Sequence, residues 1–162
     1  MIFLVDAHHD ESTIKQSMGL ADYSYYFVLK SYVPLLEKLG TVVHIDSEQN
    51  GRHLRLKRIE KLFNAPIVYL QFCPPHKIDL HTGFQTVCVF AWEYSSLPNA
   101  QWGDNPLNDW AYGLSKIDGA ITHSKQAANL VQNALGCSFP LADVPAPLWD
   151  AQQCIDLIED KR

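Results

Sequence analysis

The chain lacks several features that identify common classes of enzyme and scaffold. No glycine precedes Gly19, so no glycine-rich phosphate loop follows the first apolar run, and the dinucleotide fingerprint of nicotinamide and flavin enzymes is absent. There is no Gly-x-Ser-x-Gly elbow of a serine hydrolase. The cysteines, at positions 73, 88, 137 and 154, form no Cys-x-x-Cys pair, which disfavours a zinc ribbon or a disulfide framework.

Positive charge and long apolar runs are also scarce. The formal net charge is -5 at pH 7, which argues against a nucleic-acid partner because phosphate neutralisation requires clustered Lys and Arg. One basic stretch within residues 52–62 is a solvated helix face or a patch for anions or acidic membranes. No run approaches the roughly 20 apolar residues of a membrane span. The unpaired cysteines and the absence of a signal-type start predict a cytoplasmic protein.

Strand and helix patterns alternate along the chain. With 162 residues, 47% hydrophobic and 19% charged, and no repeat or linker, it is expected to form one domain over residues 1–162. The alternation predicts an α/β fold, a Rossmann-like three-layer sandwich with a mostly parallel sheet of about six strands. Strands are expected at 2–5, 41–45, 67–72, 85–91, 119–122 and 141–144. Helices are expected at 25–39 (with a kink or the weakest turn at Pro34), 52–62, 108–115, 127–135 and 150–158.

The loop after the fourth strand carries two tryptophans, a glutamate and two serines. Ligands bind at the carboxyl end of the strands in open α/β sheets, so this loop is a candidate binding segment. Trp92 and Trp102 can cover the apolar face of a sugar ring, while Glu93 and Ser95 can hydrogen-bond its hydroxyls. The alternative is structural, with Trp92 packed in the core and Glu93 forming a local cap or ion pair. Trp102 and Trp110 are expected to pack.

A second candidate segment lies where the fifth strand meets its helix. Ser124 is placed to cap that helix or to present the helix N–H groups to an anion such as phosphate. His123 is expected to face the same cleft, where it can donate a hydrogen bond to a substrate oxygen.

These segments resemble the N-terminal domain of GT-B type, group 1 retaining glycosyltransferases. That family has a Trp-Glu pair after a strand, then Leu-Pro and another Trp, matched in order by Trp92-Glu93, Leu97-Pro98 and Trp102. A strand ending in Ser, a helix closed by Gly and a Val-Pro turn follow in the family, as in Ser124, Gly136 and Val144-Pro145. The resemblance covers about the whole chain, but its specific part is these two stretches.

The resemblance implies an acceptor-binding half of a two-domain enzyme. The whole enzyme would move a sugar from a nucleotide-sugar donor to a carbohydrate or lipid-linked acceptor, without a metal or other cofactor. A second domain would grip the donor with two glutamates eight residues apart, and no glutamates here have that spacing. The chain alone is therefore expected to be inactive, with no catalytic residue assigned. A stand-alone carbohydrate- or partner-binding module is the alternative.

The loop after the first strand contains Ala7-His8-His9-Asp10-Glu11. It is similar to the Ala-His-Pro-Asp-Asp-Glu motif of zinc-dependent N-deacetylases, in which His and Asp hold zinc that activates a water. It is one residue shorter and has no proline, so this hydrolase is the less favoured alternative and no metal is expected. His8, His9 and Asp10 are instead expected to contact the acceptor or to form a solvated loop.

Overall fold

The structure is a computed structural model, and it describes residues 1–7, 23–45, 65–80, 82–100 and 103–147. Its strands are β1 (Ile2–Asp6), β2 (Thr41–His44), β3 (Ile67–Phe72), β4 (Gln85–Phe90), β5 (Gly119–Thr122) and β6 (Leu141–Asp143). Its α-helices are α1 (Tyr23–Glu37), α2 (Trp110–Leu114) and α3 (Lys125–Leu135), and short 3-10 turns cover Pro75–Lys77 and Pro106–Asn108.

All six strands belong to one sheet with the order β2-β1-β3-β4-β5-β6, and every pairing is parallel. The predicted α/β, Rossmann-like class and the six strands are confirmed. The direction of chain progression reverses between β1 and β3, which are hydrogen-bonded neighbours. Such a reversal opens a crevice at the carboxyl ends of the two strands, where open α/β sheets bind ligands.

The inner strands are apolar because both of their faces are covered. On one face, Phe3 and Val5 of β1 and Phe72 of β3 belong to the main core, which also includes residues of α1. On the other, Leu4 of β1 and Tyr69 of β3 form a second cluster with Ile2 and Ile45. Side chains alternate along a strand, so each strand contributes to both layers.

Helix α1 packs through one stripe of residues. Tyr25, Leu29, Tyr32 and Leu36 recur at helical spacing, and all four are buried in the main core. The helix runs on through Pro34 to Glu37. A Cβ at Gly40 would collide with the carbonyl oxygen of Met1, so this turn into β2 requires glycine.

The two longer helices lie on opposite faces of the sheet. Parallel crossovers are right-handed, and the chain moves in opposite directions across the sheet through α1 and through α3. Helix α3 is capped by Ser124 before its first residue and by Gly136 after its last, and Gly136 has a φ of 85°. The positive φ favours glycine there, as the sequence predicted. The sheet with α1 on one face and α3 on the other gives the three layers of the sandwich.

Differences from the sequence expectations concern element ends. The helix expected at 108–115 is a 3-10 turn at Pro106–Asn108 followed by a shorter α2, because Asp109 caps a new helix with its side chain. Helices expected at 52–62 and 150–158 lie outside the described residues. No helix in the described part of the chain is long and apolar enough to cross a membrane.

Candidate functional site

The carboxyl edge of the sheet gathers the polar and aromatic residues of several loops. Here β1 ends at Asp6, β4 leads into the loop of residues 91–100, and β5 leads into His123 and Ser124. Asp6 is buried and accepts a hydrogen bond of 3.2 Å from the hydroxyl of Tyr69 on the neighbouring strand. A buried carboxylate is thus held beside the crevice between β1 and β3.

Trp92 joins the loop after β4 to the body of the domain. Its indole Nε1 donates to the carbonyl oxygen of Ser96 at 2.8 Å, which closes the loop on itself. Its ring lies 4.3 Å, centroid to centroid, from that of Trp110, which is 3% exposed and part of the main core. Trp92 is half-buried, so both the structural and the binding interpretations apply to it. The expected packing role of Trp110 is confirmed.

Tyr94 extends the aromatic cluster to the surface. Its ring lies 4.8 Å from the Trp92 ring, and 67% of the residue is exposed. Tyr94, Trp92 and Trp110 therefore form a row from solvent to core. An exposed aromatic ring supported from behind by packed rings offers a flat apolar surface at little cost in side-chain entropy. No sequence pattern distinguishes Tyr94 from its neighbours.

Glu93 and Ser95 flank Tyr94 and are both exposed. No described residue forms a hydrogen bond or ion pair with either side chain. The local cap or ion pair considered for Glu93 is thus not found within the described part of the chain. The Glu93 carboxylate and the Ser95 hydroxyl are thus accessible for hydrogen bonding at this loop.

The start of α3 lies beside this loop. Gln126 Nε2 donates to the carbonyl oxygen of Tyr94 at 3.3 Å, which connects the two predicted segments although they are far apart in sequence. Ser124 Oγ accepts a hydrogen bond of 3.2 Å from the backbone N–H of Ala127. The capping role predicted for Ser124 is confirmed.

His123 has a defined tautomer in this geometry. Its Nδ1 lies 2.9 Å from the carbonyl oxygen of Val144, and a carbonyl oxygen only accepts, so Nδ1 carries the proton. Nε2 of the neutral ring is then an acceptor. The predicted donation from His123 to a substrate oxygen stays a prediction, because Nε2 accepts when the ring is neutral and donates when the ring is protonated. Nε2 is buried, and no described residue hydrogen-bonds to it.

Tyr32 brings a second polar atom to the same place. Its ring lies 6.1 Å from the His123 ring and 5.4 Å from the Phe72 ring, and the residue is 6% exposed. Its hydroxyl is buried, and no described residue hydrogen-bonds to it. Burial raises the pKa of this tyrosine above its usual 10.0, because the phenolate is poorly solvated there. In the sequence, Tyr32 is one of several apolar residues at helical spacing, and nothing there indicates a role in a site.

The chain matches no protein-family model, no curated protein and no solved structure. The function of the carboxyl edge is therefore inferred from the side chains that lie there. Among the residues that the structure describes, no group of three or more His, Cys, Asp or Glu could hold a metal ion. The described edge offers aromatic stacking and hydrogen bonding.

Five of the eight predicted site residues fall within the described chain. Trp92, Glu93 and Ser95 share one loop, and that loop contacts the helix that follows His123 and Ser124. His8, His9 and Asp10 lie outside the described residues, as does Trp102.

Proposed function

We propose that the chain is the acceptor-binding domain of a GT-B type glycosyltransferase. The complete enzyme moves a sugar from a nucleotide-sugar donor to a carbohydrate or lipid-linked acceptor. One observation carries the proposal: the Trp92–Ser96 loop and the start of α3 meet at the carboxyl edge, linked through Gln126 and Tyr94. These are the two stretches in which the sequence resembles that family.

The side chains at this edge suit a sugar. Tyr94, supported by Trp92, presents an aromatic face that can cover the C–H side of a pyranose ring. Glu93 can accept hydrogen bonds from ring hydroxyls, and charge-assisted bonds of this kind are about twice as strong as neutral ones.

We assign the donor to a second domain and assign no catalytic residue to this one. In the proposed enzyme the cleft forms between the two domains, and the carboxyl edge described above faces it. Residues His8, His9 and Asp10 follow Asp6 directly in sequence. The proposal gives them to the acceptor site as well.

The continuation of the reading frame past the codon for Arg162 tests the enzymatic part of the proposal. We expect about 150–200 further residues with alternating strands and helices, including two glutamates eight apart. A stop codon directly after Arg162 would contradict it. The stand-alone binding module would then account for the same edge.

A further inference from the structure

The loop of residues 91–98 is held at both of its ends. The backbone N–H of Ala91 donates to the hydroxyl of Tyr25 at 3.4 Å, and the carbonyl oxygen of Pro98 accepts from the N–H of Trp110 at 2.9 Å. Tyr25 and Trp110 are both buried in the main core. The two ends of the loop are therefore bonded to residues of the packed interior.

The middle of this loop, residues 93–95, has much less support. Tyr94 is 67% exposed, and its ring lies 4.8 Å from that of Trp92. Among the residues that the structure describes, one hydrogen bond fixes the main chain of this stretch: Gln126 Nε2 donates to the Tyr94 carbonyl oxygen at 3.3 Å. The orientation in which the loop presents the Tyr94 ring thus depends on this bond.

Helix α3 directs Gln126 toward the loop. Gln126 is the second residue of α3, and the side chains of a helix lean toward its amino end, which here lies at the carboxyl edge of the sheet. Ala127, Ala128 and Val131 of the same helix are buried, which fixes the rotation of α3 about its axis. The amide of Gln126 is therefore carried by a rigid element, as precise positioning requires.

The chemistry of this bond is defined by its partner. A carbonyl oxygen only accepts, so the amide of Gln126 must present its nitrogen to Tyr94. We propose that Gln126 is a positioning residue of the acceptor-binding site: its bond to the Tyr94 carbonyl oxygen holds the Tyr94 ring in the orientation that stacks on a sugar. This inference rests on the proposed function, but the order of the loop can be measured without any sugar.

Gln126→Glu separates positioning of the loop from stability of the domain. Glutamate has the same shape, but its carboxylate only accepts, so it cannot bond to the Tyr94 carbonyl oxygen. A negative charge in the first turn of a helix also interacts favourably with the helix dipole. The urea midpoint of Gln126→Glu is therefore expected to equal or exceed that of the parent, although the bond to the loop is lost. Gln126→Met removes the same donor without adding a charge.

NMR relaxation of the backbone amides, in the full chain without ligand, measures the order of the loop. Order parameters are about 0.85 in rigid backbone and below about 0.6 in flexible segments. We expect Tyr94 and Ser95 to be near the first value in the parent and near the second in Gln126→Glu and Gln126→Met. Gln132→Glu is the matched control, because Gln132 is exposed on α3 and its side chain bonds to no described residue of the loop. It should leave both order parameters unchanged.

Sugar affinity gives the functional readout. A mobile loop must be ordered when the ligand binds, and immobilising one side chain raises the dissociation constant by roughly 2- to 12-fold. We expect a rise of this size in Gln126→Glu and in Gln126→Met, and none in Gln132→Glu. The measurement is an NMR titration with the methyl glycosides of glucose, galactose, mannose and N-acetylglucosamine, compared for those that bind the parent.

Two results would overturn the proposal. Unchanged order parameters in Gln126→Glu would mean that the bond does not hold the loop, and a lower urea midpoint beside them would make Gln126 a structural residue. Increased motion of the loop with unchanged sugar affinity would mean that binding does not depend on the position of Tyr94. A parent that binds none of the glycosides would instead contradict the proposed function, and the order parameters would still decide whether Gln126 positions the loop.

Discussion

Gln71 is fully buried on β3, and its side-chain amide forms two hydrogen bonds to the backbone of one residue, Asp79. Its Nε2 donates to the Asp79 carbonyl oxygen at 2.9 Å, and its Oε1 accepts from the Asp79 N–H at 2.8 Å. These bonds fix the turn after β3, which includes Pro74 and His76, at the carboxyl edge. Gln71→Met keeps the shape of the side chain and removes both bonds.

The expected destabilisation follows from these two bonds. Each intramolecular hydrogen bond contributes a net of about 0.5–1.5 kcal/mol, and a buried group left unsatisfied costs about 1–3 kcal/mol. Asp79 is only half-buried, so water can replace part of what its backbone loses. We therefore expect Gln71→Met to lower the free energy of unfolding by about 1–3 kcal/mol.

Urea unfolding followed by tryptophan fluorescence measures this change. With m of about 1–3 kcal/mol/M, the midpoint should fall by roughly 1 M at unchanged m. Gln132→Met is the matched control, because Gln132 is exposed on α3 and because glutamine and methionine have similar helix propensities. A Gln71→Met midpoint equal to that of the control would refute the reasoning.

Three further predictions concern the site. Ser124→Ala should lower the free energy of unfolding by about 1 kcal/mol, because the helix loses its cap. Ser138→Ala, at an exposed turn, is the control and should change this free energy little. Equal urea midpoints for the two variants would contradict the prediction. The pKa of Tyr32 is raised in the folded state, so its contribution to the free energy of unfolding is fully present below pH 10.0. This contribution falls as the pH rises above that value, because the tyrosine of the unfolded chain loses its proton first. Tyr32→Phe should make this alkaline loss less steep, and an unchanged profile between the two proteins would count against burial of the hydroxyl. Glu93→Ala should leave the melting temperature nearly unchanged, because Glu93 is exposed, while it cuts turnover of the complete enzyme; loss of folding would make Glu93 structural.

Local patterns were sufficient for most of the fold. Strand β3 is apolar at every position except Gln71, and Pro74-Pro75 follow it because neither proline can donate to a sheet ladder. Helix α3 is marked at both ends, by the Ser124 cap and by Gly136. The strand order is not a local property, since it depends on how helices and sheet faces pack after the elements form. The reversal between β1 and β3 therefore required the structure.

The site was predicted only in part, because some of its contacts join residues that are far apart in the sequence. Trp92, Glu93 and Ser95 follow a strand, so their place at the carboxyl edge could be read from the chain. The bond from His123 to Val144 joins residues 21 apart, so the orientation of the imidazole could not be predicted from the local sequence. Tyr32 approaches His123 only in the folded chain. Tyr94 gives no periodic signal, so only its exposure next to Trp92 identifies it.

Binding of simple sugars at the carboxyl edge tests the central claim most directly. Saturation-transfer NMR with methyl glycosides of glucose, galactose, mannose and N-acetylglucosamine can be applied to the full chain, to Tyr94→Ala and to Tyr112→Ala. Tyr112 is also an exposed tyrosine, but it lies on α2, where its ring contacts Lys116. We expect at least one glycoside to receive saturation from the parent and from Tyr112→Ala but not from Tyr94→Ala. No transfer to any of the four, or equal transfer from all three proteins, would contradict a carbohydrate site at this edge.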